Sequence, residues 1–127
     1  MNLKLFLNVP VKSLGVTIKF YEELGFEFDP NFTDEKSACM IINSDSYIMF
    51  LRDFFFQSFS KKEIPDTKNM AQCIIALMVD SKTEVDKIFD KALKLGANPH
   101  NYEEDVGSMY VKSFIDPDGY LIELFSE

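Results

Sequence analysis

One histidine, two cysteines and thirteen lysines and arginines, set against twenty-one aspartates and glutamates, limit what this 127-residue chain can do. The net charge of −8 and pI near 4.6 argue against nucleic acid as a partner, because neutralising phosphates takes clustered Lys and Arg. The same charge keeps a protein soluble and attracts cationic ligands. Cys39 and Cys73 lie in separate apolar runs, without Cys-x-x-Cys spacing or a neighbouring His, so buried free thiols are expected rather than a disulfide or a metal pair. No apolar run approaches the length of a membrane span. The opening MNLKLFLNVPV lacks the apolar stretch and small-residue cleavage site of a secretory signal. A cytosolic location is therefore expected. With 46% hydrophobic residues, the length suits one domain with a real core and is too short for two independent domains of ordinary size.

What the chain does have is concentrated in DPDGYLIELF, residues 116–125. Pro117 presets φ for a turn, and Gly119 accepts the positive φ that other residues resist. A strand should follow from Tyr120, with Leu121, Glu123 and Phe125 on one face and Tyr120, Ile122 and Leu124 on the other. Both faces are apolar except at Glu123, whose carboxylate interrupts a hydrocarbon stripe and needs a reason.

In chain order, residues 3–11 read as a strand with Leu5, Leu7 and Val9 in the buried layer. Ser13 caps a helix whose stripe is Leu14, Ile18, Tyr21 and Leu24 and whose stop is Gly25. Strands at residues 26–32, 37–43 and 47–52 follow. Residues 54–70 read as a linker, carrying Phe54, Phe55, Phe56 and Phe59, an aromatic cluster suited to core, to a dimer contact or to a lid. The same order then begins again. A strand at 72–80 precedes a helix with the capping-box spacing of Ser81 and Glu84, an apolar stripe of Val85, Ile88, Phe89 and Ala92, and a stop at Gly96. Segments at 98–103, 108–115 and 120–125 complete it. VKSLGVTIKFYEELG corresponds loosely to VDSKTEVDKIFDKALKLG, and YIMFL at Tyr47 to YLIEL at Tyr120. The expected fold class is α+β, two βαβββ modules forming a curled mixed-sheet cup: module one at about 1–53, linker at about 54–70 and module two at about 71–127.

VPVKSLGVTIKFYEELGFEF near the start, VDS midway and DPDGYLIELF at the end together resemble the vicinal oxygen chelate superfamily, the fold of glyoxalase I, extradiol dioxygenases, fosfomycin-resistance proteins and bleomycin-binding proteins. The resemblance spans nearly the whole chain and implies a cup that usually matures as a homodimer. In metal-dependent members, the cup holds a divalent ion between a His on the first strand of each module and a Glu on the last strand of the second. Glu123 falls on the Glu position. Counting back from VKSL and from VD puts Phe6 and Ile74 on the His positions, and the YIMFL to YLIEL match makes Phe50 the mate of Glu123. The resemblance therefore implies an apolar cup with one acid and no catalytic metal. Zinc, nickel, manganese or iron would enter only through Glu123.

Asn8 and Gln72 share the faces of Phe6 and Ile74 but sit two residues away, and neutral amides bind transition metals poorly. His100 falls outside the family's ligand positions and reads as a surface residue. A carboxylate among Phe6, Phe50, Ile74, Leu121 and Phe125 loses hydration, which favours its neutral form unless a partner compensates. Three readings of Glu123 stay open. It pairs with Arg52 and is only structural; it anchors a cationic or aromatic small molecule oriented by Asn8 and Gln72; or it acts as a general base or metal ligand in a glyoxalase-like lyase, isomerase or dioxygenase.

Overall fold

The computed structural model describes residues 1–107 and 109–127 and, for residues 101–106, the backbone alone. The chain forms two compact units, residues 1–64 and 65–127. Each is a βαβββ module with its own four-stranded mixed sheet.

In the first unit, β1 (Leu5–Val11) leads into α1 (Leu14–Leu24), followed by β2 (Glu27–Phe28), a 3-10 turn at Pro30–Phe32, β3 (Ser37–Asn43) and β4 (Ser46–Arg52). The sheet order is β1-β4-β3-β2, with β1 parallel to β4 and the other pairs antiparallel. Ser13 begins α1 as the sequence leads one to expect. Its hydroxyl accepts a hydrogen bond from the Val16 amide at 3.5 Å, satisfying one of the donors that a helix start leaves open. At the other end Gly25 sits at φ 116°. There the amides of Gly25 and Phe26 both reach the Tyr21 carbonyl, at 3.2 and 2.9 Å, a turn that closes the helix only with a left-handed residue. The buried stripe of α1 is Leu14, Thr17, Phe20, Tyr21 and Leu24. Ile18 is half-buried, so the stripe is rotated from the expected one. Thr17 tolerates burial because its hydroxyl donates to the Ser13 carbonyl at 3.1 Å.

This helix covers one face of the sheet. The Tyr21 ring stacks on Phe50 at 5.3 Å, and Phe28 lies 6.4 Å from Phe50. Val9 pairs with Phe50 and Ala38 with Phe50 across the strands, so all of them share the covered side. On β1 the buried residues are Val9 to Val11, while Leu5 is exposed and Leu7 half-buried. The buried layer is therefore confined to the end of the strand nearest the helix.

The expected linker is in part a helix, α2 (Asp53–Ser60). Its Phe55 and Phe59 rings, one turn apart, meet edge to face at 4.9 Å. An eight-residue segment with aromatics on several sides carries no clean period, which is why it reads as a break in the pattern. Phe54 and Phe59 remain exposed. The guanidinium of Arg52 and the ammonium of Lys36 lie over Phe54 and Phe55, each 5.0 Å from the ring centre.

In the second unit, β5 (Ile74–Met78), α3 (Lys82–Lys94), β6 (Asn98–Val106), β7 (Met109–Ile115) and β8 (Leu121–Ser126) repeat the plan in the order β5-β8-β7-β6. Ser81 caps α3 by accepting from the Glu84 amide at 3.1 Å. Val85 and Ala92 of α3 are buried, as are Ile75, Phe114, Ile122 and Leu124 of the sheet. Lys112 runs under α3, with its ammonium 5.1 Å from the Phe89 ring centre and 2.9 Å from Asp86. Asp86 also accepts the Tyr110 hydroxyl at 2.6 Å. That hydrogen bond, and next the Lys112 ammonium, hold the Asp86 carboxyl below its ordinary value.

Candidate functional site

The turn before β8 fixes everything downstream of it. One Asp116 carboxylate oxygen accepts the amides of Asp118 and Tyr120, each at 2.9 Å, and the Gly119 amide donates to the Asp116 carbonyl at 3.0 Å. Gly119 takes φ 94°, and a Cβ there would lie 2.8 Å from the Thr67 backbone oxygen. Two independent reasons thus require glycine. The Thr67 hydroxyl donates to the Asp118 carbonyl, which lays residues 65–70 against the turn. Gln72, exposed and just ahead of β5, lines a shallow crevice with Thr67, Cys73, Gly119 and Leu121. Burial pushes the Cys73 thiol above its ordinary pKa.

From this turn the strand alternates as the sequence implies. Ile122, Leu124 and Ser126 are buried, and Leu121, Glu123 and Phe125 are half-buried on the opposite face. Parallel pairing sets Ile74 beside Leu121 and Ala76 beside Glu123. Antiparallel pairing sets Ser113, 2% exposed, beside Glu123, and Val111 beside Phe125. The second sheet therefore gathers Ile74, Leu121, Glu123 and Phe125 on one surface. Among the residues of β5, β7 and β8 on this surface the carboxylate is the one charge, with Ser113 as its polar neighbour in the ladder. Among the described residues of this unit, Glu123 has no hydrogen-bond or ion-pair partner.

The first sheet requires a correction. Phe6 pairs with Tyr47 and their rings stack at 4.6 Å, whereas Phe50 is 0% exposed on the helix-covered face. Phe6 and Phe50 are on opposite sides of the sheet, and Arg52, two residues from Phe50, shares the side of Phe50 and not that of Phe6. The register shows where the equivalence slips. Phe6 and Ile74 each stand seven residues before a capping serine, and they pair with Tyr47 and Leu121. Two residues further on, Met49 therefore corresponds to Glu123, while Phe50 corresponds to the buried Leu124. Matching YIMFL to YLIEL by likeness displaces the pair by one, and one residue in a strand changes the face. Asn8 does share the face of Phe6, but its amide donates to the Phe6 carbonyl at 3.0 Å. His100, expected at the surface, lies half-buried in β6.

Sequence reasoning missed three residues on these faces: Tyr47, Met49 and Ser113. Strand alternation contains the signal for each, but using it takes the pairing register, which a single strand does not carry.

Two βαβββ units with mixed sheets define an α+β protein whose half-buried carboxylate stands on the open face of its last strand. The family model for the Glyoxalase/Bleomycin resistance protein/Dioxygenase superfamily matches residues 5–124, and the chain belongs to that superfamily. Among solved structures it is similar to hypothetical protein SA1046 from S. aureus, at TM-score 0.83 and 22% identity over 100% of this chain and 95% of that one. It is similar to a glyoxalase/bleomycin resistance protein/dioxygenase family enzyme from Burkholderia phytofirmans PsJN, at 0.79 and 17%, with 95% of each chain covered. The fosfomycin resistance protein FosX from Mesorhizobium loti aligns at 0.66 and 14%, over 100% of this chain and 91% of that one. No curated protein sequence matches it.

A divalent ion is the group that the resemblance brings into question. Phe6 and Ile74 offer only hydrocarbon at the two histidine positions, and the ladder neighbours of Glu123 are Ala76 and Ser113. Among the described residues no three His, Cys, Asp or Glu side chains gather into a group that could hold a metal. These donors do not fit a catalytic ion, which takes about three protein ligands of suitable softness.

Proposed function

We propose that the protein binds a small organic molecule, cationic or aromatic, on the apolar open face of its second sheet, with Glu123 as the anchor and without a catalytic metal. The observation that carries this reading is the carboxylate itself: half-buried among Ile74, Leu121 and Phe125, with no partner among the described residues of its unit. An acid in such a setting loses part of its hydration, and a ligand that brings a cation or a donor restores what burial removed. The net charge of −8 favours the approach of a cation. Relatives named for resistance to bleomycin and fosfomycin support a small organic ligand as the class to test first. The same reading takes the protein as a cytosolic homodimer. Among the described residues no helix is long and apolar enough to cross a membrane.

A thermal-shift screen of quaternary ammonium and aromatic amine compounds tests the proposal. Binders should raise the unfolding temperature of the wild type, and Glu123→Gln should remove that shift while remaining folded. Binders that act equally on Glu123→Gln would overturn the assignment. Turnover lost with Glu123→Gln, accompanied by a metal requirement, would favour the lyase or dioxygenase reading.

A further inference from the structure

The open face of the first sheet carries a feature that Glu123 does not explain. β1 is the edge strand of its sheet, and Phe6 is 44% exposed there. Its ring lies parallel to that of Tyr47, with centroids 4.6 Å apart and planes 10° from coincidence. Tyr47 therefore covers one face of the Phe6 ring, which leaves the opposite face of a ring that is partly exposed. No third ring lies on it among the described residues.

The stack is also held in place. The Tyr47 hydroxyl donates to the Ser44 carbonyl at 3.0 Å, in the turn between β3 and β4, which fixes the ring on which Phe6 rests. Continuing across the sheet, Tyr47 pairs with Ile41 and Ile41 with Glu27. One row of this face thus runs Phe6, Tyr47, Ile41, Glu27: two rings at the edge and an exposed acid at the far end.

We infer that the Phe6–Tyr47 pair is a stacking platform for a planar cationic ring, such as an N-alkylated heteroaromatic. A pre-ordered aromatic pair loses little conformational freedom when a third ring extends it. The electron-rich faces of Phe and Tyr attract a ring that bears positive charge. The acidic chain and Glu27 on the same face give the matching sign. A saturated cation of equal charge gains the electrostatic part and not the stacking. This inference rests on the reading of the protein as a binder of small organic cations and adds a contact on the first unit that selects planar ones.

Isothermal titration with two charge-matched probes, 1-methylquinolinium and cyclohexyltrimethylammonium, tests it. The wild type should bind the planar probe about tenfold more tightly, the range expected of one aromatic contact. Phe6→Leu should bring the ratio of affinities close to one, and Phe6→Tyr, which keeps a ring, should retain the preference. A wild-type ratio near one, a ratio unchanged in Phe6→Leu, or no binding of either probe overturns the platform. Glu123→Gln separates the two claims. If it leaves both affinities at wild-type values while the planar preference persists, the platform stands and the anchor role of Glu123 fails.

Discussion

Phe6 and Phe50 are both phenylalanines on neighbouring strands, yet they differ in what their removal leaves behind. Phe50 is enclosed by Tyr21, Phe28 and the α1 face, so Phe50→Ala opens a cavity and should cost about 3–5 kcal/mol. Phe6 loses one stacked neighbour and some exposed surface, so Phe6→Ala should cost about 1 kcal/mol or less. Urea denaturation of the two variants checks the contrast, and equal losses would contradict the assignment of faces. Ser126 makes an opposite prediction. It is fully buried, and its hydroxyl has no hydrogen-bond partner among the described residues. An unsatisfied buried hydroxyl is destabilising. Ser126→Ala should therefore leave stability unchanged or raise it by up to about 1 kcal/mol, read as a higher denaturation midpoint. Glu123 was legible from the sequence because a single acid in an apolar stripe is a local anomaly. Its neighbours Ala76 and Ser113 were not, because they come from other strands and depend on register.

At the scale of elements, the turn and the helix ends carry the strongest local signals. Ser13, Gly25, Ser81 and Gly119 all act where their residue types lead one to expect, because caps and turns are decided by a few consecutive residues. Gly119→Ala should destabilise by about 1–3 kcal/mol, through the positive φ and the contact with Thr67. Thermal unfolding measures it, and a neutral result would contradict the seating of residues 65–70 on the turn. The α2 helix escaped the sequence reading because it is eight residues long, buries none of them and has no side-chain cap at its start, so the local signals of a helix are missing. The contact of α3 with β7 adds a pH dependence. Asp86 is held below its ordinary value by the Tyr110 hydroxyl first and by Lys112 second, so its contribution is complete above the unfolded aspartate pKa of about 3.9 and is lost as the pH falls through the lower folded value. Asp86→Asn should therefore be less stable than the wild type at neutral pH, and the gap should narrow in acid. A gap that stays constant in denaturant titrations down to about pH 3 would show that the carboxylate charge is not the source.

At the scale of the whole molecule, the duplicated βαβββ plan was legible because the two modules repeat a cap, a helix, a Leu-Gly stop and three strands in one order. Function was less legible, since this fold carries many chemistries and a likeness at 14–22% identity transmits architecture alone. Each unit must therefore be read from its own side chains: hydrocarbon at Phe6 and a methionine at the position that mirrors Glu123 in the first, hydrocarbon at Ile74 and a carboxylate without a partner among the described residues in the second. That set suits an organic cation better than a divalent ion. The direct test is metal content by elemental analysis after stripping and then soaking the protein with zinc, nickel, manganese and ferrous ions, read beside thermal-shift titrations of the same ions. The account predicts no stoichiometric ion and no shift that depends on Glu123. One ion per chain, lost in Glu123→Ala, would contradict it and return the site to metal chemistry.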